Sequence, residues 1–164
     1  MIVYRIGYKR YGTSPLSGEG SFLYGGRWSS VGTRVAYTAS TASLAMLEFR
    51  AHLDFEDFDP DTPPDLTIIS AFFPDRAMLT LDKLGLALPT GWNARPAPAA
   101  DASVGDTWVS SSASLALAVP SALLPTISPE INVLINPLHP NFANVTIEVH
   151  PFEYDRRLLQ GRNR

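Results

Sequence analysis

Every β-prone run in this chain is short before proline, glycine or a polar turn cluster interrupts it, and that punctuation most limits the folds open to it. Ile2 to Ile6, Val35 to Thr38, Leu66 to Phe73, Leu115 to Val119, Asn132 to Ile135 and Val145 to Val149 read as strands. They are set apart by Pro89 to Ala100, Pro120-Ser121, Pro125 to Pro129 and Asn136-Pro137-Leu138-His139-Pro140. Tyr8 to Arg27 carries five glycines and reads as a loop. Asp54 to Asp65, acidic and proline-rich, reads as a solvated connector. Strands gathered this way, with one clear helix near the N-terminus and a weaker one over Asp101 to Ser110, predict a mixed α+β domain rather than alternating βαβ units. At 164 residues and 45% hydrophobic content, the chain suits a single domain over 1–164 that buries its core unaided.

The clear helix begins after Ser40-Thr41, which offers an N-cap, and runs to about Leu53. At about 100° per residue, Ser43, Arg50 and Asp54 share one narrow polar stripe. Glu48 falls nearly opposite that stripe, among Leu44, Ala45 and Ala51, so it is expected to point inward. An ionised carboxylate among aliphatic groups costs several kcal/mol unless donors or a cation meet it. Glu48 is therefore either half of a structural ion pair, with Arg27, Arg34 or Arg50 as partner, or part of a site.

Gly25-Gly26-Arg27-Trp28 presents an arginine fork after two glycines and before a large flat ring, a pattern suited to an anionic ligand and, taken alone, more readily to a glycine turn with a solvent-facing arginine and a core tryptophan. Tyr37 closes a short strand with an apolar ring and one polar tip. Ser121 has no G-x-S-x-G elbow and no adjacent base, so a serine-hydrolase reading is weak and a turn-stabilising role is the simpler one. Asn136 and His139 lie in a proline-punctuated loop, where they reach a pocket or hold a turn.

Composition and motif spacing count against several classes. The chain has no cysteine, and His52, His139 and His150 show no metal-ligand spacing, so no metal site is expected. Gly18-Glu19-Gly20 opens a GxG, but Leu23 stands where the third glycine of a dinucleotide fingerprint belongs, and a Walker A loop is absent. The formal charge of −3 gives no basic footprint for nucleic acid. Only Lys9 and Lys83 are lysines; the other basic residues are arginines, which suit phosphate or carboxylate. No run approaches a membrane span or a signal peptide, so a cytoplasmic protein is expected.

Taken in order, Val3-Tyr4-Arg5-Ile6, Gly25-Gly26-Arg27-Trp28, Val35-Ala36-Tyr37-Thr38-Ala39 and Leu44-Ala45-Met46-Leu47-Glu48 resemble the RES-domain family, toxins of bacterial toxin–antitoxin pairs. The resemblance resumes at Val119-Pro120-Ser121, Asn132 to Pro140 and Tyr154 to Leu158, and is poor over 50–115. Ser29 departs from the asparagine expected after the tryptophan. The resemblance implies a fold similar to mono-ADP-ribosyltransferases, with an NAD cleft between short sheets. It also implies cleavage of the nicotinamide–ribose bond, with water or inorganic phosphate as acceptor and no further cofactor.

It assigns catalytic roles to Arg27, Tyr37, Glu48 and Ser121, and substrate contacts to Arg5, Gly26, Trp28 and Asn136. In that scheme Glu48 stabilises an oxocarbenium-like ribosyl cation and Arg27 holds the pyrophosphate. Tyr37 stacks on nicotinamide, and Ser121 bonds the ribose or a phosphate. The implied partner is an Xre-like helix-turn-helix antitoxin, with a homodimer left open. The alternatives are an ADP-ribosyltransferase acting on a protein and a non-enzymatic interaction module.

Overall fold

The structure is a computed structural model that describes residues 1–53, 64–125 and 129–158. The described elements are β1 (Ile2–Tyr8), α1 (Glu19–Tyr24), β2 (Ala36–Ala39), α2 (Ala42–Ala51), β3 (Leu66–Phe72), β4 (Met78–Thr80), α3 (Ala99–Ser111), β5 (Ala116–Pro120), β6 (Ile131–Ile135) and β7 (Thr146–Pro151), with short 3-10 turns between some of them. The strands form a seven-stranded sheet in the order β4-β5-β6-β2-β1-β3-β7. Only β4 and β5 run parallel; the other pairs are antiparallel. The architecture is α+β, as the strand punctuation predicts.

The expectation of a cleft between short sheets meets a more specific arrangement. The halves β4-β5-β6-β2 and β1-β3-β7 are joined where β1 meets β2, through the single register pair Tyr4↔Ala39. By contrast β1 and β3 pair without a break from Ile2↔Phe72 to Tyr8↔Leu66. The strands thus form one continuous sheet, most thinly paired between β1 and β2, where the resemblance implied separate short sheets.

Side chains alternate across each strand, so the sheet has two covered faces. On one, Val3, Ala36, Ile69, Ala71, Val133 and Ile135 pack with Leu16 and Phe73. The other face carries two clusters side by side. Ile6, Ala39 and Leu66 lie beneath Leu44, Ala45 and Met46 of α2. Leu117, Val119 and Leu134 lie beneath Trp28 and Trp108, the latter from α3. Burial of this apolar area, at about 25 cal/mol per Å², is the main force fixing both helices to the sheet.

The expected helix forms, with Thr41 as N-cap: its Oγ1 accepts the Leu44 N–H at 3.1 Å. Two elements depart from expectation. Glycines made 8–27 read as loop, yet α1 stands within it, with Gly18 as N-cap and Gly25 as C-cap at φ 66° and 70°. Those glycines bound a helix because they take the left-handed or otherwise strained conformations that end one. The strand β4 is only three residues long and shows no period in the sequence. Asp54 and the connector up to residue 63 lie outside the described residues. Among the described residues, no helix is long and apolar enough to cross a membrane.

Candidate active site

Glu48 sits on α2 where its side chain reaches the seam between the two apolar clusters. Its Oε1 accepts two hydrogen bonds, from Ser121 Oγ and from Asn132 Nδ2, each at 2.7 Å. The predicted inward direction therefore holds, and the partners are neutral donors rather than Arg27, Arg34 or Arg50. The other oxygen, Oε2, lies 3.9 Å from Nε2 of the exposed His52, and the Glu48 side chain is 24% exposed. One oxygen is thus anchored while the carboxylate keeps access to solvent.

Ser121 follows β5 directly and is fully buried. Its Oγ accepts the Leu123 N–H at 3.1 Å and gives its hydrogen to Glu48. A hydroxyl has one hydrogen to donate, so Ser121 acts on Glu48. A ribose or phosphate oxygen that took this hydrogen would have to compete with Glu48 for it. Asn132, which sequence reasoning passed over, sits on β6 opposite both Ala39 and Val119. It lies at the end of β6 that meets Ser121.

Asn136 stands past the other end of that strand. Its N–H bonds the Leu115 carbonyl at 2.9 Å and its Oδ1 accepts the Leu138 N–H at 3.0 Å. His139 Nδ1 likewise accepts from the Asn141 N–H. The loop is a turn held by side-chain caps, and Asn136 does not reach Glu48.

Tyr37 points toward the Arg27 turn. Its Oη accepts the Trp28 N–H at 2.9 Å and shares a hydrogen with Ser29 Oγ at 2.9 Å. Burial pushes the phenol above its ordinary range, opposed in part by those bonds, so the hydroxyl stays protonated. The substitution at Ser29 therefore falls on a residue that braces Tyr37. Gly26 has the same neighbour: a Cβ there would lie 2.5 Å from Tyr37 Oη. Gly26 makes room for a tyrosine, where the sequence suggested close approach to a ligand.

Gly26 and Ser29 pair through their backbones and place Arg27 and Trp28 at the corner of a tight turn. Trp28 is 2% exposed and stacks on Trp92 with centroids 6.2 Å apart, so it is a core residue here. Arg27 is also occupied. Its Nη1 meets Asp101 Oδ2 at 3.0 Å and the Trp92 carbonyl, and its Nη2 donates to the Ala94 carbonyl at 3.1 Å. Asp101 is fully buried, and its Oδ1 has no partner among the described residues.

The helix α3 therefore holds the Arg27 turn, and the reading of 50–115 missed this. Gly105 lets α3 approach so closely that a Cβ would fall 1.7 Å from the Trp28 carbonyl oxygen. Asp106 Oδ1 accepts the Ser30 N–H at 3.0 Å. Partial desolvation works to raise its pKa, but bonds from Ser30 and Thr33 outweigh that and hold the carboxyl below its ordinary range. The run Gly105-Asp106-Thr107-Trp108, a glycine and an acid inside a helix, was the available signal.

Arg5 enters elsewhere. Strand alternation sets it on the Val3 side of β1, and its Nη1 donates to the Tyr37 carbonyl at 3.4 Å, where β1 and β2 part. Burial lowers its pKa from the ordinary guanidinium value. No hydrogen bond or ion pair among the described residues joins it to Glu48 or Arg27.

Fold and site together define an α+β domain with a donor-clamped carboxylate and a tethered arginine on one sheet face. The RES domain family model matches residues 2–157, and the chain belongs to that family. It is 38% identical over 160 residues to a Toxin Res of Yersinia enterocolitica, covering 96% of this chain and 99% of that protein. It is 33% identical over 154 residues to a Prs ADP-ribosylating toxin of Sphingobium, covering 93% and 91%. Among solved structures, the M. tuberculosis MbcT-MbcA toxin-antitoxin complex superposes with a TM-score of 0.71 at 15% identity, over 92% of this chain and 83% of that one.

Proposed function

We propose that the chain is the toxin of a toxin–antitoxin pair and consumes NAD in the cytoplasm, releasing nicotinamide. The observation that carries this reading is the Glu48 carboxylate, with Oε1 held by Ser121 and Asn132 and access to solvent kept. Breaking the N-glycosidic bond sends its electron pair to the nicotinamide nitrogen and leaves a ribosyl cation. A fixed carboxylate stabilises that developing charge without reorganising. Water then captures the cation and loses a proton, giving ADP-ribose; inorganic phosphate gives its phosphorylated counterpart instead.

In this reading Arg27 takes the pyrophosphate as a fork, exchanging the carbonyls of Trp92 and Ala94 for phosphate oxygens. Tyr37, protonated and braced by Ser29, supports the Arg27 turn and offers its ring to the nicotinamide. The implied antitoxin, of helix-turn-helix type, covers this face; the superposed structure is named as a toxin-antitoxin complex.

The test is incubation of purified, antitoxin-free protein with labelled NAD, with and without phosphate. Nicotinamide release with free ADP-ribose, or its phosphate, is the expected result. Unchanged NAD under both conditions refutes the reading. A second reading, transfer of ADP-ribose to a protein, draws on the name of the Sphingobium relative, and label appearing on protein in a lysate favours it. If neither NAD nor ADP-ribose raises the melting temperature, a non-enzymatic interaction module gains instead.

A further inference from the structure

We infer that Asn132 is a positioning residue that, with Ser121, clamps Oε1 of Glu48 so that Oε2 is the oxygen presented to the reacting ribose. This deepens the proposed function and rests on it. Asn132 is mounted rigidly: β6 is an interior strand, and Asn132 pairs with Val119 on β5 and with Ala39 on β2. Sites built on paired strands hold geometry better than sites on loops.

The orientation of its amide is set by charge. Turning the amide over would place Oδ1 against the carboxylate, so Nδ2 faces Glu48 at 2.7 Å. The consequence is a buried Oδ1 without a partner among the described residues. A buried acceptor left unmade is costly, and such exceptions in a well-packed protein call for a reason. Here the reason is the second donor on Oε1. With Ser121 alone the carboxylate could still turn about its last bond; two donors from separate elements, β6 and the end of β5, fix its plane. The sole ion-pair neighbour of Oε2 among the described residues is the exposed His52, 3.9 Å away, and the Glu48 side chain keeps 24% exposure.

The test uses the full chain, with nicotinamide release from NAD as the assay. N132A is expected to lower kcat by about 10- to 100-fold, the range a hydrogen bond to an ionised group carries, with KM within about twofold. N132D keeps the shape but sets a second carboxylate against Glu48. It is expected to lose more activity than N132A at pH 8, and to recover relative to wild type as the pH falls toward 5. Recovery occurs because the new carboxyl, once protonated, donates to Oε1. A merely structural role gives no such acid recovery.

Wild-type kcat in N132A, or a loss in N132D that does not change with pH, overturns the inference while leaving NAD consumption intact. If N132A does not fold, N132D carries the test. If wild type leaves NAD untouched, the functional reading fails, and the clamp is then judged from a crystal structure of N132A or N132D. Glu48 turned away from Ser121 supports it, and Glu48 unmoved overturns it.

Discussion

Glu48 and Arg27 approach the same face of the sheet, and they are held in opposite ways. Glu48 is an anion met by two neutral donors at one oxygen, with solvent access retained. Arg27 is a cation already neutralised by buried Asp101 and covered by the carbonyls of Trp92 and Ala94. The carboxylate is presented and the guanidinium is sequestered. Under the proposed reading, the charge-stabilising carboxylate is in place before NAD arrives, while Arg27 has to exchange partners to meet the pyrophosphate.

The largest expected effect breaks the first half of that contrast. Glu48→Gln retains an oxygen that accepts from Ser121 and Asn132, so the fold survives with little change in Tm, but turnover of NAD falls by at least about 10³-fold. Kinetics and a melting curve on the same preparation check both parts. Near-normal turnover removes Glu48 from the chemistry.

The second half rests on α3. Gly105→Ala drives a Cβ into backbone, 1.7 Å from the Trp28 oxygen, and is expected to cost about 3 kcal/mol. For a chain of this size, that lowers Tm by roughly 6–12 °C. Gly20→Ala, where a Cβ meets nothing within 4 Å on helix α1, is the matched control and leaves Tm unchanged or slightly raised. Equal effects at the two positions would contradict the docking of α3 on the Arg27 turn.

Asp101→Asn sharpens the comparison directly, since it leaves Arg27, 17% exposed, without its counter-ion. The expected cost is about 2 kcal/mol. A double-mutant cycle with Arg27→Ala is the measurement, and additive losses would show that the pair is incidental.

The smallest effect concerns Asp106 and acid. Its folded pKa lies below the ordinary 3.8, so its contribution is fully present above that value and disappears as pH falls through the folded pKa. Urea midpoints of wild type and Asp106→Asn are expected to differ at pH 7 and to converge as the pH falls below the ordinary carboxyl value through the lowered folded one. A gap that persists in acid assigns the difference to packing.

The same two regions divide what the sequence made legible. Thr41 as a cap and the apolar positions around Glu48 follow from helix geometry, so the inward carboxylate is a local inference. Ser121 lies 73 residues away along the chain, and only resemblance linked it to Glu48. Asn132 and Asn136 are equally plausible asparagines in one motif. Which of them meets Glu48 depends on which end of β6 faces α2, a tertiary fact. The Arg27 turn was legible as a turn, but its supports were not. Asp101, Gly105 and Asp106 look like ordinary residues of a weak helix, because what they do depends on how closely α3 docks against Trp28. Glycine misled in 8–27 because a helix can stand between glycines as readily as a loop can contain them.

The most direct test of the account is a crystal structure of Glu48→Gln with NAD. The expected result places the nicotinamide ribose beside the residue 48 side chain and the pyrophosphate on Arg27, with the Trp92 and Ala94 carbonyls displaced. NAD bound away from both residues, or Arg27 still tied to Asp101 and those carbonyls at saturating NAD, would contradict it.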